Sequence, residues 1–252
     1  MFKSLSKSKG LKFLCFASIM FISLPSNAGL MGMWSANGWS QLDAEDGATE
    51  SGFVGPGWGG QAFDAEYLFY KKEGSILSIG LQTGFDLSDG HQWYGRKEYF
   101  AGDLSLGFNG GGYQYAIDFG LVTKDIQQDN VGLGNGNQDT AGLYAVSQWN
   151  NDISYGQSSP FAMDEGSFLS AITGTSGSAN LSDGKSYYRT VSFDLNSLGF
   201  DVASFDAHWT MSCGNDVVEG SANVPEPNPS WLLIGGLLAL IGSRGIKTTF
   251  NS

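Results

Sequence analysis

The chain has 252 residues, 37 of them glycine and only 15% charged, which excludes a Leu/Glu/Lys-rich helical bundle and favours many turns and short strands. Its formal net charge is −12, and residues 29–224 carry 7 basic against 24 acidic side chains, a net −17 that excludes nucleic acid and anionic lipid as partners. That acidity would draw cations, Ca²⁺ among them, but its first reading is solubility.

Residues 1–28 read as a secretory signal peptide. Lys3, Lys7, Lys9 and Lys12 form the basic region, 13–24 the apolar region, and Ser26 and Ala28 the small residues of a cleavage site between Ala28 and Gly29. Cys15 leaves with this leader, and Leu14 before it does not fit a lipoprotein signal. Cys213 is then alone in the mature chain, so no intramolecular disulfide forms.

Residues 62–72 alternate and are rich in aromatics, Glu73-Gly74 breaks the run, and 75–83 continue it, which predicts a hairpin. A strand over 103–108 turns at Asn109-Gly-Gly-Gly112 into another over 113–122. Further strands are expected over 143–149, 187–194 and 205–212, the last being the final strand before the tail. Residues 195–200 read as a helical turn, and 167–173 as either a strand or a short helix. The expected fold over 29–222 is all-β: an antiparallel β-sandwich, jelly-roll-like, flanked by the signal peptide and a C-terminal hydrophobic sorting helix.

Chemical candidates are sparse. Asp129, Asn135, Asn137 and Asp139 lie in a Gly-rich loop with alternating oxygen ligands, the leading metal candidate, for calcium; no Gly and no closing Glu complete an EF-hand. Asp86 and Asp89 read as turn residues. Asp64, Glu66 and Asp103, at strand starts, read as exposed positions. Gly132-Leu-Gly134-Asn-Gly136 has the wrong spacing for a dinucleotide fingerprint. His208 and Cys213 read as a structural His beside a buried thiol, and His91 has no partner in sequence. Asp43, Glu45, Asp46, Asp164 and Glu165 are chance carboxylates in an acidic chain, so no catalytic residue and no enzyme is expected. Trp34, Trp39, Trp58 and Trp149 read as core fillers before sugar platforms. In Gly90-His91-Gln92-Trp93-Tyr94-Gly95-Arg96, Trp93 and Tyr94 are the best candidates for glycan contact, because rings adjoin hydrogen-bonding groups.

The tail opens with Val224-Pro225-Glu226-Pro227 inside a Pro-rich linker, 223–230. Residues 231–252 then give an apolar run, 231–241, followed by Arg244 and Lys247. That run makes roughly 16 Å of helix, against about 20 residues for a full span. It is a marginal transmembrane helix, and the basic residues behind it favour a cytoplasmic C-terminus.

Pro225-Glu226-Pro227, a short apolar helix and a trailing basic residue resemble the PEP-CTERM sorting signal of Gram-negative bacteria that make extracellular polysaccharide. Arg244 and Lys247 are dispersed where that family clusters arginines. His208-Trp-Thr-Met-Ser-Cys213-Gly-Asn-Asp216, Asp64-Ala-Glu66-Tyr-Leu-Phe-Tyr70, Gly102-Asp103-Leu-Ser-Leu106 and Tyr113-Gln-Tyr-Ala-Ile117 resemble one group of such proteins. The resemblance implies handling by signal peptidase and then by an exosortase, a membrane-embedded cysteine enzyme. It also implies transient inner-membrane insertion and delivery to the cell surface, the extracellular matrix or a biofilm. The function expected is non-enzymatic adhesion or polysaccharide association; the alternatives are a carbohydrate-active enzyme on the same sandwich and a purely structural domain.

Overall fold

A computed structural model describes residues 30–45, 59–123, 140–150, 153–181 and 184–224. In chain order these give helix α1 (Leu30–Ala36) and strands β1 (Ser40–Ala44), β2 (Ala65–Glu73), β3 (Ile76–Thr83), β4 (His91–Tyr94) and β5 (Lys97–Phe100). There follow β6 (Leu104–Phe108), β7 (Tyr113–Asp118), β8 (Gly142–Asn150), β9 (Ala162–Ser170), β10 (Thr173–Asn180), β11 (Lys185–Asp194), β12 (Ser204–Thr210) and β13 (Val217–Asn223).

Every strand pairing is antiparallel. One sheet has the order β1-β2-β3-β11-β10, the second β13-β12-β6-β7-β8-β9, and β4-β5 form a separate ribbon. The fold is therefore all-β and sandwich-like, with the core between the two large sheets. Leu68, Leu77, Ile79, Leu81, Val191 and Phe193 face Leu104, Leu106, Ile117, Leu143, Phe205 and Trp209 across it. The alternation read from the sequence holds over β11, where Tyr187, Val191 and Phe193 are buried and Tyr188, Thr190 and Ser192 point away. The sheets meet where β1 passes β13: Glu219 N donates to Asp43 Oδ2 at 3.0 Å.

Both sheets carry a cover on their outer face. Trp34 of α1 stacks on Phe69 of β2 at 4.5 Å and donates to Gln82 of β3 at 2.8 Å. Gly80 makes room for it, since a Cβ there would sit 2.5 Å from the indole. Residues 153–161 cover the second sheet, with Ser158 and Phe161 buried against it. Among the described residues, no helix is long and apolar enough to cross a membrane.

The structure corrects several expectations. The turn between β2 and β3 falls at Gly74-Ser75, one residue later than expected. Residues 167–173 are strand at both ends, split between β9 and β10. The strand after Thr210 was missed: β13 pairs with β12 from Val217 to Asn223, so Phe205–Thr210 is not the last. Asn223 closes that strand and Val224 is buried, its N–H donating to Ala203 O at 2.7 Å, so both belong to the fold rather than to the linker. The stretch Gly90 to Arg96 is the β4-β5 ribbon rather than a loop.

Candidate functional site

The β4-β5 ribbon leans over one end of the sandwich. Its four cross-strand pairs put Gln92, Tyr94, Lys97 and Tyr99 on one face and His91, Trp93, Glu98 and Phe100 on the other. Its base is fixed by Phe100 N–H to Ser212 Oγ at 2.9 Å and Ser212 N–H to Phe100 O at 2.8 Å. His91, expected to stand alone, lies 2.6 Å from Glu98 Oε1 through Nδ1.

Under the tyrosine face is a cleft of about 380 Å³. Tyr94 and Tyr99 form one wall and Phe63 the floor beneath them. Phe63 meets Tyr94 edge-on at 5.7 Å and 86°, and Tyr99 at 5.2 Å and 86°. Ser154, Tyr155, Cys213 and Asn215 complete the lining, the last two from the turn after β12. Gly214 (φ 64°) gives that turn its left-handed step. The turn holds the segment that carries Tyr155, because Tyr155 N–H donates to Cys213 O at 3.2 Å and Ser158 Oγ to Gly214 O at 2.6 Å.

Among the described residues the lining is uncharged. Burial pushes the Cys213 thiol up to about 12, and it donates to Asn215 Oδ1, so it stays a neutral, unreactive thiol. Burial also raises Tyr99, keeping its hydroxyl protonated. No carboxylate or imidazole lines the cleft among the described residues. It offers ring faces, neutral hydroxyls and one amide, which suits stacking and hydrogen bonding rather than proton transfer or nucleophilic attack.

The glycan candidates fall at this cleft in unequal ways. Tyr94 is 66% exposed and lines it; Trp93 is 59% exposed but points to the opposite side of the ribbon. Phe63, Tyr99, Tyr155 and Asn215 were not picked out, because four separate stretches of chain converge here and no local pattern marks that. The metal candidates Asp129, Asn135, Asn137 and Asp139 lie outside the described residues, as do Ala28, Gly29, Pro225, Glu226, Pro227 and Arg244. Trp58 and Asp46 do too. Asp86 is a turn residue as read: its Oδ1 accepts from Ser88 N–H at 2.8 Å.

Asp64, Glu66 and Asp103 are buried, not exposed. Asp103 Oδ2 accepts the Met163 N–H at 2.8 Å, tying β9 to the start of β6. Glu66 is the extra residue at a bulge, where the β2-β3 register shifts between Ala65 and Tyr67. It accepts from Gln61 at 2.7 Å, Ser186 at 2.6 Å and Gln82 at 2.6 Å. Burial nonetheless pushes it up to about 7. Nearby, burial and then Asp216, Asp43, Asp64 and Glu219 push Glu45 up to about 8. Among the described residues, no group of three or more His, Cys, Asp or Glu side chains has the geometry to hold a metal ion.

His208 and Cys213 are both buried, each with its own partners: His208 faces Ser158 O at 3.0 Å and Glu219 at 3.3 Å, Cys213 faces Asn215. Trp34 is in the core as read, and Trp149 is half-buried. Compared with protein-family models, curated proteins and solved structures, the chain matches none.

Proposed function

We propose that this is an exported cell-surface or extracellular-matrix protein, sorted by an exosortase through its PEP-CTERM-like tail, whose domain associates with polysaccharide. The observation that carries the polysaccharide part is the uncharged cleft in which Tyr94, Tyr99 and Tyr155 surround Phe63. Sugar rings stack on such faces, and phenolic hydroxyls and the Asn215 amide match sugar hydroxyls. Tyr94 stands exposed at the rim, where a polymer can reach it. A glycoside hydrolase would need two carboxylates across its cleft; the lining supplies none among the described residues.

The sorting part rests on the leader, the Pro225-Glu226-Pro227 motif and the short apolar run behind it. The jelly-roll-like description of the sandwich belongs to the same proposal, motivated by the chain crossing between sheets from β9 to β10 and from β11 to β12.

The test uses the full chain in a polysaccharide-producing host that carries an exosortase, with cell fractions and medium blotted. Alanines at Pro225, Glu226 and Pro227 are expected to leave unprocessed protein in the inner membrane. Tyr94→Ala is expected to reach the surface but to wash into the medium. Normal processing of the first variant overturns the sorting role, and undiminished retention of the second overturns the role of the cleft.

A further inference from the structure

We propose that the cleft takes a cationic sugar, a hexosamine residue carrying a free ammonium group, as part of a polymer. This rests on the reading of the cleft as a glycan site and names the sugar class.

The ring arrangement is the first ground. Phe63 is perpendicular to both Tyr94 and Tyr99, at 86° in each case, so the three rings form a corner rather than a flat platform. Tyr155 also lines the cavity. A flat row of rings suits a neutral sugar stacked face-on; rings set at right angles offer no such platform but can approach a small group from more than one side. Each face is negative, and an ammonium within about 6 Å of a ring centroid gains roughly 0.5–2 kcal/mol per ring.

Charge is the second. Tyr99 and Cys213 are held protonated by burial, so among the described residues the lining has no anion to form a salt bridge. Discrimination for a cation would come from the rings. At long range, the net −17 of residues 29–224 favours a polycation and repels uronate or sulfated polymers. Lys97 pairs with Tyr94 in the ribbon but is exposed and does not line the cavity, so solvent screens it.

Size is the third. A cavity of about 380 Å³ admits a sugar unit with room to spare, and the exposed positions of Tyr94 and Ser154 leave the chain ends free to continue into solvent.

The experiment titrates the mature protein, recovered from the surface of expressing cells, with three defined probes: β-1,4-linked glucosamine oligomers, the same oligomers N-acetylated, and galacturonate oligomers. Glucosamine oligomers are expected to bind about tenfold tighter than the N-acetylated ones, the worth of one cation–π contact. Galacturonate is expected not to bind. Tyr94→Ala and Tyr155→Ala leave the net charge unchanged and are expected to abolish the preference; Tyr94→Phe keeps the ring and is expected to retain it. Equal affinity for the two glucosamine series overturns the cationic assignment while leaving the glycan site standing. Glucosamine binding unaffected by either alanine variant means bulk charge attraction and also overturns it. Failure of all three probes removes the glycan reading together with this one.

Discussion

Under α1, on the outer face of the five-stranded sheet, lies Glu66; under residues 153–161, on the outer face of the six-stranded sheet, lies His208. Both are almost fully buried, at 1% and 2% exposure. Burial drives both toward their neutral forms, so Glu66 rises to about 7 and His208 falls. Their surroundings differ. Glu66 is ringed by three donors, which suit a carboxylate. His208 is ringed by acceptors, Ser158 O and the Glu219 carboxylate, which suit an imidazolium. In each case desolvation outweighs partners chosen for the charged form. Each cover therefore makes its sheet pH-sensitive, with opposite sign.

The largest effect is expected from removing the first cover. Trp34 is 1% exposed, stacks on Phe69 and supplies the donor for Gln82, which in turn holds Glu66. Trp34→Ala is expected to cost about 3–5 kcal/mol, from lost contact and the cavity left behind. Urea unfolding measures it. A loss under about 1 kcal/mol, the size of a surface change, would mean that α1 only rests on the sheet.

The next test isolates Glu66. A carboxyl raised from 4.5 to about 7 on folding holds its proton more tightly in the folded state. Its stabilising contribution is complete below the unfolded value and is lost as pH rises through about 7, at most roughly 3 kcal/mol. Glu45, raised to about 8, adds a slope of the same sign. These two contributions are thus expected to fall between about pH 5 and 8, opposed below about 6.5 by that of His208. Glu66→Gln removes one of the two contributions and is expected to flatten the slope by about half up to about pH 7. It also lowers stability throughout, since its amide N–H₂ meets a donor where the carboxylate had an acceptor. An unchanged slope in the urea midpoints would rule Glu66 out as its source.

These features were unevenly visible in the sequence. The β2-β3 and β6-β7 hairpins were legible because large apolar residues alternate and Gly or Asn marks the turns. β10 (Thr173–Asn180) and β13 (Val217–Asn223) were not, because their small polar residues cover little core: from Glu219 to Asn223 no large side chain breaks the polar run. Glu66 was misplaced for a local reason, since the bulge at Ala65/Tyr67 breaks the period of two on which an exposed assignment depends. At the cleft, Tyr94 was legible as a ring beside hydrogen-bonding residues. The rest of the lining was not: Tyr155 and Asn215 are brought together by the Cys213-Gly214 turn, a contact between distant parts of the chain.

The smallest effect is expected under the second cover. The Glu219 carboxylate is 62% exposed, so its attraction for His208 is screened, and Glu219→Gln is expected to change neutral-pH stability by no more than about 0.5 kcal/mol. Neutral His208 can donate through Nε2 to Ser158 O, which leaves Nδ1 bare toward residue 219. A glutamine amide can donate to that nitrogen, whereas a carboxylate cannot, so the variant suits the neutral ring better. It also removes the one side-chain charge that pulls the His208 pKa upward. A histidine lowered on folding contributes stability above its unfolded value of 6.5 and loses it as pH falls through the folded value. Glu219→Gln is therefore expected to match the wild type near neutrality and to fall below it in acid, with the His208 ring signals titrating at lower pH by NMR. A titration midpoint that rose instead would show that Glu219 does not stabilise the imidazolium, and the contrast with Glu66 would then rest on burial alone.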